Sequence, residues 1–444
     1  MTAPKLVPPV VPSPALNRTP SQLRQDLRAC TLDGMLYMLM VGLGQEYFAK
    51  FARDLGMGDA AVGWIEPIAM LLATLVQQFS VYLVLIAGSY RRVVWIAAAL
   101  QGLSLLPLAA LAWWSADAPN LGTPASPVLT VGLYALISVF FISAFAGGPP
   151  WMAMLGLAFP QRVLRRYLGR RTVLLHAALL LGLLGGGLAL HQATLQGQSA
   201  VMRVLAVMFV LAAIARLGSA YYLSRYSQDG FEPPVIVPPT EVLRRARTGN
   251  DGKALTYLIA SQAAMWIAFP FFRPYMLSQL GTPAADQAGD QAFLYSSLLA
   301  AFFVGKLVAP EVAGRAIQRF GLYRVAWVTA IALVPVPLLW LLSSNPWWLL
   351  AFQFIGGAAL ASFELCSVLF QMEHVPVRER ASVLSTFGLG VYAAGFAGST
   401  VGVLILGESA TADRYAWLFA ASAAARMLTL PLLRRLRHES VPVG

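Results

Sequence analysis

Charge is what this sequence has least of. Only 12% of its 444 residues are Asp, Glu, Lys or Arg, while 58% are hydrophobic and the mean hydropathy is +0.65. Soluble domains carry about 25% charged residues, and half that number cannot cover a water-facing surface, so a soluble fold is excluded. Cysteine is nearly absent. Cys30 and Cys366 alone rule out a disulfide framework and a cysteine-cluster metal site. The four histidines (His176, His191, His374, His438) are too dispersed for a metal-ligand spacing. There is no phosphate-binding loop, no His-Glu zinc helix and no Ser/His/Asp set, so neither an enzyme nor a cofactor is expected.

Apolar runs are what the sequence has in quantity. They fall near 31–52, 60–87, 92–114, 127–157, 172–191, 201–224, 254–279, 292–313, 323–343, 346–372, 381–406 and 412–433. Each approaches the length needed to cross about 30 Å of hydrocarbon. The expected fold class is therefore all-α integral membrane, with twelve transmembrane helices; a barrel would show alternating segments of about ten residues. Residues 1–28 are proline-rich and lack the apolar core of a signal peptide, so they read as a disordered arm that is retained. The segment 225–253 holds Pro233, Pro234, Pro238, Pro239 and a basic cluster, and reads as a linker between six-helix halves at 29–224 and 254–434. Residues 435–444 form a tail.

The net charge of +12 is a topology signal. With both termini cytoplasmic, 24 of the 32 basic residues fall in inside segments, and only Lys50, Arg53, Arg203 and Arg414 fall outside. A multi-pass plasma (bacterial inner) membrane protein is expected, with no nucleic-acid partner. Three matches relate the halves. Gly88-Ser89-Tyr90-Arg91 and Gly321-Leu322-Tyr323-Arg324 are offset by 233 residues, Pro160-Gln161-Arg162 and Pro376-Val377-Arg378 by 216, and Arg216 and Arg426 by 210.

The loop Gly314-Arg315-Ala316-Ile317-Gln318-Arg319-Phe320-Gly321-Leu322-Tyr323-Arg324 resembles the signature loop between helices 8 and 9 of the major facilitator superfamily, with Gln318 where an acid usually stands. The first-half counterpart keeps Gly88, Arg91 and Arg92. Asp33-Gly34, Gly42-Leu43-Gly44-Gln45-Glu46-Tyr47 and the stretch from Pro149 to Arg171 are similar to uncharacterised bacterial members. The resemblance implies a major facilitator fold and alternating access around a site lined by helices 1, 4, 7 and 10. It also implies a cytoplasmic conformational lock at Gly88, Arg91, Arg92, Gly314, Arg315, Arg319, Gly321 and Arg324. Helix 4 has no arginine before Gly147 and helix 5 no Gly-Pro pair, which argues against classical multidrug efflux.

Ionisable residues at bilayer depth are costly and are candidates for function. Glu46 and Glu66 lie near the outside, as does Arg273 between Pro270 and Pro274, so the three are candidates for an external gate, for substrate binding or for proton coupling. Lys306 and Glu364 each lie eight positions before the assigned inner ends of helices 8 and 10, at equal depth. They are expected either to pair or to bind and couple. Asp33 reads as a helix-cap or inner-gate charge, and Arg216 and Arg426 as arginines that snorkel to the interface. Tyr37, Gln45, Gln77, Gln262 and Trp266 are candidates for lining a cavity, and the glycines of helices 5 and 11 for close helix packing. The leading expectation is a monomeric secondary transporter of a small organic solute, with protons as a candidate coupling ion and membrane lipid as its surroundings. A lipid or amphiphile flippase and a non-transporting scaffold are the alternatives.

Overall fold

In hydrocarbon the backbone has only itself to bond to, and a helix satisfies every N–H and C=O within one segment. The computed structural model describes residues 19–57, 59–117, 126–159, 161–227, 232–272, 275, 288–343, 345–407 and 411–436, and among them every regular element is helical. In the first half the spans are α1 (Pro20–Asp54), α2 (Asp59–Gln77 with Ser80–Ala87), α3 (Tyr90–Ser115), α4 (Pro127–Ala158), α5 (Gln161–Thr194) and α6 (Gln198–Ser224). In the second they are α7 (Asn250–Trp266 and the turn Phe269–Phe271), α8 (Ala288–Phe320), α9 (Leu322–Leu342), α10 (Pro346–His374), α11 (Arg380–Leu406) and α12 (Ala412–Arg434). By length and composition, ten of these are apolar enough to cross a membrane, and α2, bent by 49°, makes an eleventh. Helix α8 has the length, at 33 residues, but carries Lys306, Glu311, Arg315 and Arg319.

Helix α1 starts before its apolar run does. The Thr19 hydroxyl accepts from the Gln22 N–H at 3.3 Å, the Gln22 side chain accepts from the Thr19 N–H at 3.0 Å, and Pro20 opens the first turn. Residues 20–28, expected in the disordered arm, are therefore helical. The capping pattern Thr19-Pro20-Ser21-Gln22 was the sequence signal.

The two halves repeat each other in detail. Gly182 on α5 and Gly398 on α11 are 216 residues apart. A methyl at Gly182 would lie 2.9 Å from the carbonyl oxygen of Leu39 on α1, and one at Gly398 2.3 Å from that of Ala263 on α7. Four residues on, Gly186 meets the Tyr47 ring and Gly402 the Phe271 ring. Those rings belong to equivalent 3₁₀ turns, Gln45–Tyr47 and Phe269–Phe271, 224 residues apart. Gly88 (φ 60°) and Gly321 (φ 89°) both take positive φ at the equivalent bends before α3 and α9, a conformation that only glycine adopts cheaply. Backbone crossing at these glycines predicts a graded result. Gly398→Ala is expected to cost about 1–3 kcal/mol by overpacking against backbone, whereas Gly185→Ala, with open space around it, is expected to be neutral or stabilising. Equal melting temperatures for the two variants in detergent would refute close packing at Gly398.

Both described ends of the chain lie at one end of the bundle, here called the basic end for its arginines. There a single buried cluster runs through both halves, joining Ala29, Val84, Leu155 and Tyr226 to Ala313, Leu322 and Phe370. Towards the opposite end, among the described residues, each half has its own cluster. One is built on Phe48, Phe51, Phe140 and Phe209, the other on Tyr275, Trp340, Tyr415 and Phe419.

The segment expected as a linker contains a helix, Pro239–Thr248, and is bonded to the second half along its length. The Val235 N–H donates to the Arg378 carbonyl (2.8 Å), the Val237 N–H to Ser382 Oγ (3.0 Å), Ser382 Oγ back to the Val237 carbonyl (2.9 Å), and Arg378 Nε to Glu232 (2.8 Å). Arg245 pairs with Glu379 at the start of α11. Glu241 accepts from Arg244 and Arg245, which pull its carboxyl down to about 2, so this strap does not switch near neutral pH.

Candidate functional site: two charged clusters and a closed basic end

The first cluster lies inside the first half. Asp33 on α1 accepts from Ser219 Oγ on α6 at 2.6 Å and faces Arg171 Nη2 on α5 at 3.8 Å. Arg216, one turn from Ser219, donates to that hydroxyl through Nη1 (2.7 Å) and to Gln101 Oε1 on α3 through Nε (2.7 Å). The ring of Tyr37 lies 4.7 Å from the Arg216 guanidinium, and that of Trp151 5.2 Å from the Arg171 guanidinium. Arg171 Nε also donates to the Cys30 carbonyl at 3.0 Å. All the charged members are at least nine-tenths buried. Gly34 explains its place beside Asp33: a methyl there would lie 2.3 Å from Arg171 Nη2, so the missing side chain leaves the passage through which the arginine reaches the carboxylate.

The same positions in the second half are almost uncharged. By the helix offsets above, Asp33 corresponds to Tyr257, Arg171 to Phe387, Ser219 to Thr429 and Arg216 to Arg426. Arg426 is buried and donates to the Leu333 carbonyl at 2.7 Å. That acceptor is spare because its helical partner four residues on is Pro337, which has no N–H. The expectation that Arg216 and Arg426 snorkel is thus overturned: both turn inward onto α3 and α9, where acceptors await them. Asp33 is likewise not a cap. The early start of α1 puts it thirteen residues inside the helix.

The second cluster lies in the second half. Lys306 Nζ on α8 donates to Glu364 Oε1 on α10 at 2.9 Å, so the two residues meet as equal depth implied. Their helices cross where Gly305 and Gly357 present bare backbone, each within 2.1 Å of a carbonyl oxygen for any added methyl. Lys306 is largely covered, but the Glu364 side chain is 43% exposed. His176 of α5, from the other half, is in electrostatic reach of both. Its Nδ1 lies 2.9 Å from the Thr172 carbonyl. A carbonyl only accepts, so Nδ1 holds a proton and Nε2 is left to exchange one. The sequence alone gave His176 no role, because its partners are on helices 130 or more residues away.

The halves touch along two seams, α5 on α8 and α2 with α4 on α11. On the first, a methyl at Gly169 would come 2.7 Å from the Pro310 carbonyl, and Arg170 Nε pairs with Glu311 (3.3 Å), which also holds Arg315 (2.9 Å). On the second, Gln78 donates to the Ser385 carbonyl (2.8 Å) and Gln77 packs on Gly388. Arg380 caps the end of α10 through the Met372 and Val375 carbonyls and extends its other nitrogen onto Gly156 of α4. Phe145 and Tyr392 meet at mid-depth with ring centroids 5.1 Å apart.

The expected lock is only partly assembled this way. Arg91 donates to the Tyr226 carbonyl and Arg92 to that of Ala87, both within the first half. Arg319 lies over the Phe320 ring, and Arg324 is exposed without an ion pair among the described residues. Arg315 takes part through Glu311, Gly314 lies under the Gly169 crossing, and Gly88 and Gly321 shape bends. Short loop arginines reach nearby carbonyls before they reach the other half, and Arg170, Glu311 and Arg380 do the crossing. Of the expected cavity residues, Tyr37 is occupied by Arg216 and Gln77 by a seam. Gln45 is half-buried in its 3₁₀ turn, Gln262 is half-buried on α7, and Trp266 packs on Gly395 beside Phe269. Glu46 is exposed in the Gln45–Tyr47 turn within α1, and Glu66 precedes Pro67 in α2. Arg273, their expected gate partner, is outside the described residues.

Comparison with known proteins agrees with this architecture. The sequence model of the Major Facilitator Superfamily matches residues 254–443, the second half. No curated protein matches the chain. Among solved structures, a bacterial homologue of the iron transporter ferroportin in an outward-facing state superposes with TM-score 0.68 at 13% identity, over 94% of this chain and 99% of that one. The fucose:proton symporter of E. coli gives 0.65 at 14%, over 92% and 98%, and the human organic anion transporter MFSD10 gives 0.66 at 13%, over 94% and 100%. By sequence, the second half matches the Major Facilitator Superfamily, and nearly the whole chain shares the fold of these solved transporters.

Proposed function

We propose that the protein is a secondary transporter of a small organic solute, working by alternating access in a plasma membrane, with the basic end and both termini in the cytoplasm. The observation that carries this reading is the division of the buried core among the described residues: one cluster across both halves at the basic end, separate clusters towards the opposite end. In this reading the bundle is closed at the basic end and open at the other, and the positive-inside bias makes the open side external. Relatives of the same fold include an outward-facing structure and a proton symporter.

Protons are the coupling ion in this reading, and Glu364 is their carrier. Asp33 is sealed behind two arginines, whereas Glu364 pairs with a single lysine and keeps a face open. An open carboxylate at mid-membrane is paired inward or faces water, which favours a transporting cavity over a filled scaffold. Neutralising Glu364 releases Lys306 and changes the charge seen by His176 across the seam. In liposomes holding a pH-reporting dye, a transported solute is expected to drive a lumenal pH change with the parent protein and none with Glu364→Gln. An undiminished pH change in Glu364→Gln would remove Glu364 as carrier. Silence of the parent across sugars, organic acids and amines would remove transport itself.

A further inference from the structure

At the basic end an apolar crevice of about 330 Å³ opens sideways between α1 and α5, lined by Leu27, Arg28, Thr31, Leu32 and Tyr167. Its polar atoms bond to one another. The Tyr167 hydroxyl is 2.9 Å from the Leu27 carbonyl and 3.0 Å from Thr31 Oγ1, which itself donates to the Leu27 carbonyl at 2.9 Å. With those groups satisfied internally, the crevice has little to offer water, and its wall, Leu32, is 39% exposed. Hydrocarbon is the filling it suits. On the same face of α1, one turn apart, stand Arg24 and Arg28. Both are exposed, and neither has an ion-pair partner among the described residues. An arginine at a membrane boundary seeks phosphate.

We infer that this crevice is a binding site for one anionic phospholipid of the surrounding leaflet, its acyl chain along Leu27, Leu32 and Tyr167 and its phosphate on Arg28 and Arg24. The inference rests on the reading that the basic end meets the anionic cytoplasmic leaflet, but not on transport. Charge complementarity selects the occupant: a zwitterionic lipid would fill the crevice and leave both arginines uncompensated. The site also touches the buried cluster. Tyr167 and Thr31 flank Cys30, whose carbonyl holds Arg171, so lipid bound here steadies the two helices that bring Arg171 to Asp33.

The test is retention of lipid by the full chain in native mass spectrometry, with phosphatidylglycerol and phosphatidylcholine offered in equal amounts. The parent is expected to keep phosphatidylglycerol preferentially. Arg28→Gln and Arg24→Gln are each expected to weaken that preference about fivefold, the value of one basic residue near an anionic surface. Leu32→Trp, which fills the crevice, is expected to reduce both lipids alike. Unchanged preference in the arginine variants overturns the site. So does a parent that keeps both lipids equally, or one that inorganic phosphate alone stabilises as well as phosphatidylglycerol does. Because binding is read directly, a protein that fails to transport any solute leaves this result intact.

Discussion

Gly169→Leu is expected to open the basic end. At this crossing α5 lies so close to α8 that even a methyl would sit 2.7 Å from the Pro310 carbonyl oxygen and 3.3 Å from the Gly314 Cα. Both are backbone atoms that cannot swing aside. Overpacking of this kind costs about 1–3 kcal/mol. Because the contact exists only while the seam is closed, the cost falls on one conformation and shifts the balance by about 5–150-fold. Spin labels at Arg92 and Arg324, on the exposed basic ends of the two halves, should move apart in pulsed electron paramagnetic resonance, while labels at Trp114 and Trp347 should approach. The native thiols Cys30 and Cys366 are buried, so labelling stays specific. By contrast, Glu311→Gln breaks a half-exposed ion pair worth at most about 1 kcal/mol and should barely move either distance. If Gly169→Leu leaves both distances at parental values, the seam is not a gate.

Asp33→Asn is expected to be the most destabilising single change in the molecule. It leaves Arg171 and Arg216 buried at bilayer depth with no carboxylate between them. Removing one member of such a group typically costs about 3–5 kcal/mol, because the remaining charge stays buried and uncompensated. The damage should be reparable from the other side. Asp33→Asn combined with Arg171→Met removes one of the stranded cations, and Gln101 and Ser219 still hold Arg216, so melting temperature should recover much of the loss. Glu364→Gln, with its partly open side chain, should melt within a few degrees of the parent. A double variant no more stable than Asp33→Asn would show that the cost comes from something other than the stranded charge.

How far these features could be seen beforehand depended on what each one required. The spans came directly from apolar run length, because lipid imposes a minimum on it. Lys306 and Glu364 were legible as a pair because α8 and α10 run the same way, and neighbours with equal distances to their inner ends must meet at one level. The Asp33 cluster was not. Its members come from α1, α3, α5 and α6, and run length does not say which face of a helix is turned inward. One signal did exist: Arg216 and Arg426 stand at equivalent positions of the two halves, and a repeated arginine is better explained by a repeated place to put it than by two chance excursions to the interface. Residues 20–28 escape the hydropathy pattern because hydropathy marks where lipid begins, whereas a helix begins at its cap. The crossing residues Gly156 and Gly169 were invisible, since what matters about them is what they leave out.

The bonded strap changes which half owns the segment between α6 and α7. From Glu232 onward the chain is tied to α11 by Arg378, Glu379 and Ser382, and up to Ser227 it is tied back to Asp26 of α1, whose carboxylate accepts the Ser227 N–H at 3.0 Å. Everything from the helix Pro239–Thr248 onward therefore travels with the second half as cargo, although it precedes α7. Among the described residues, the last tie to the first half is at Ser227 and the first tie to the second half is at Glu232. The stretch from α6 to α7 is accordingly anchored over most of its length. A gene cut in two for complementation would have its natural seam between those two ties, with the proline segment left on the second fragment.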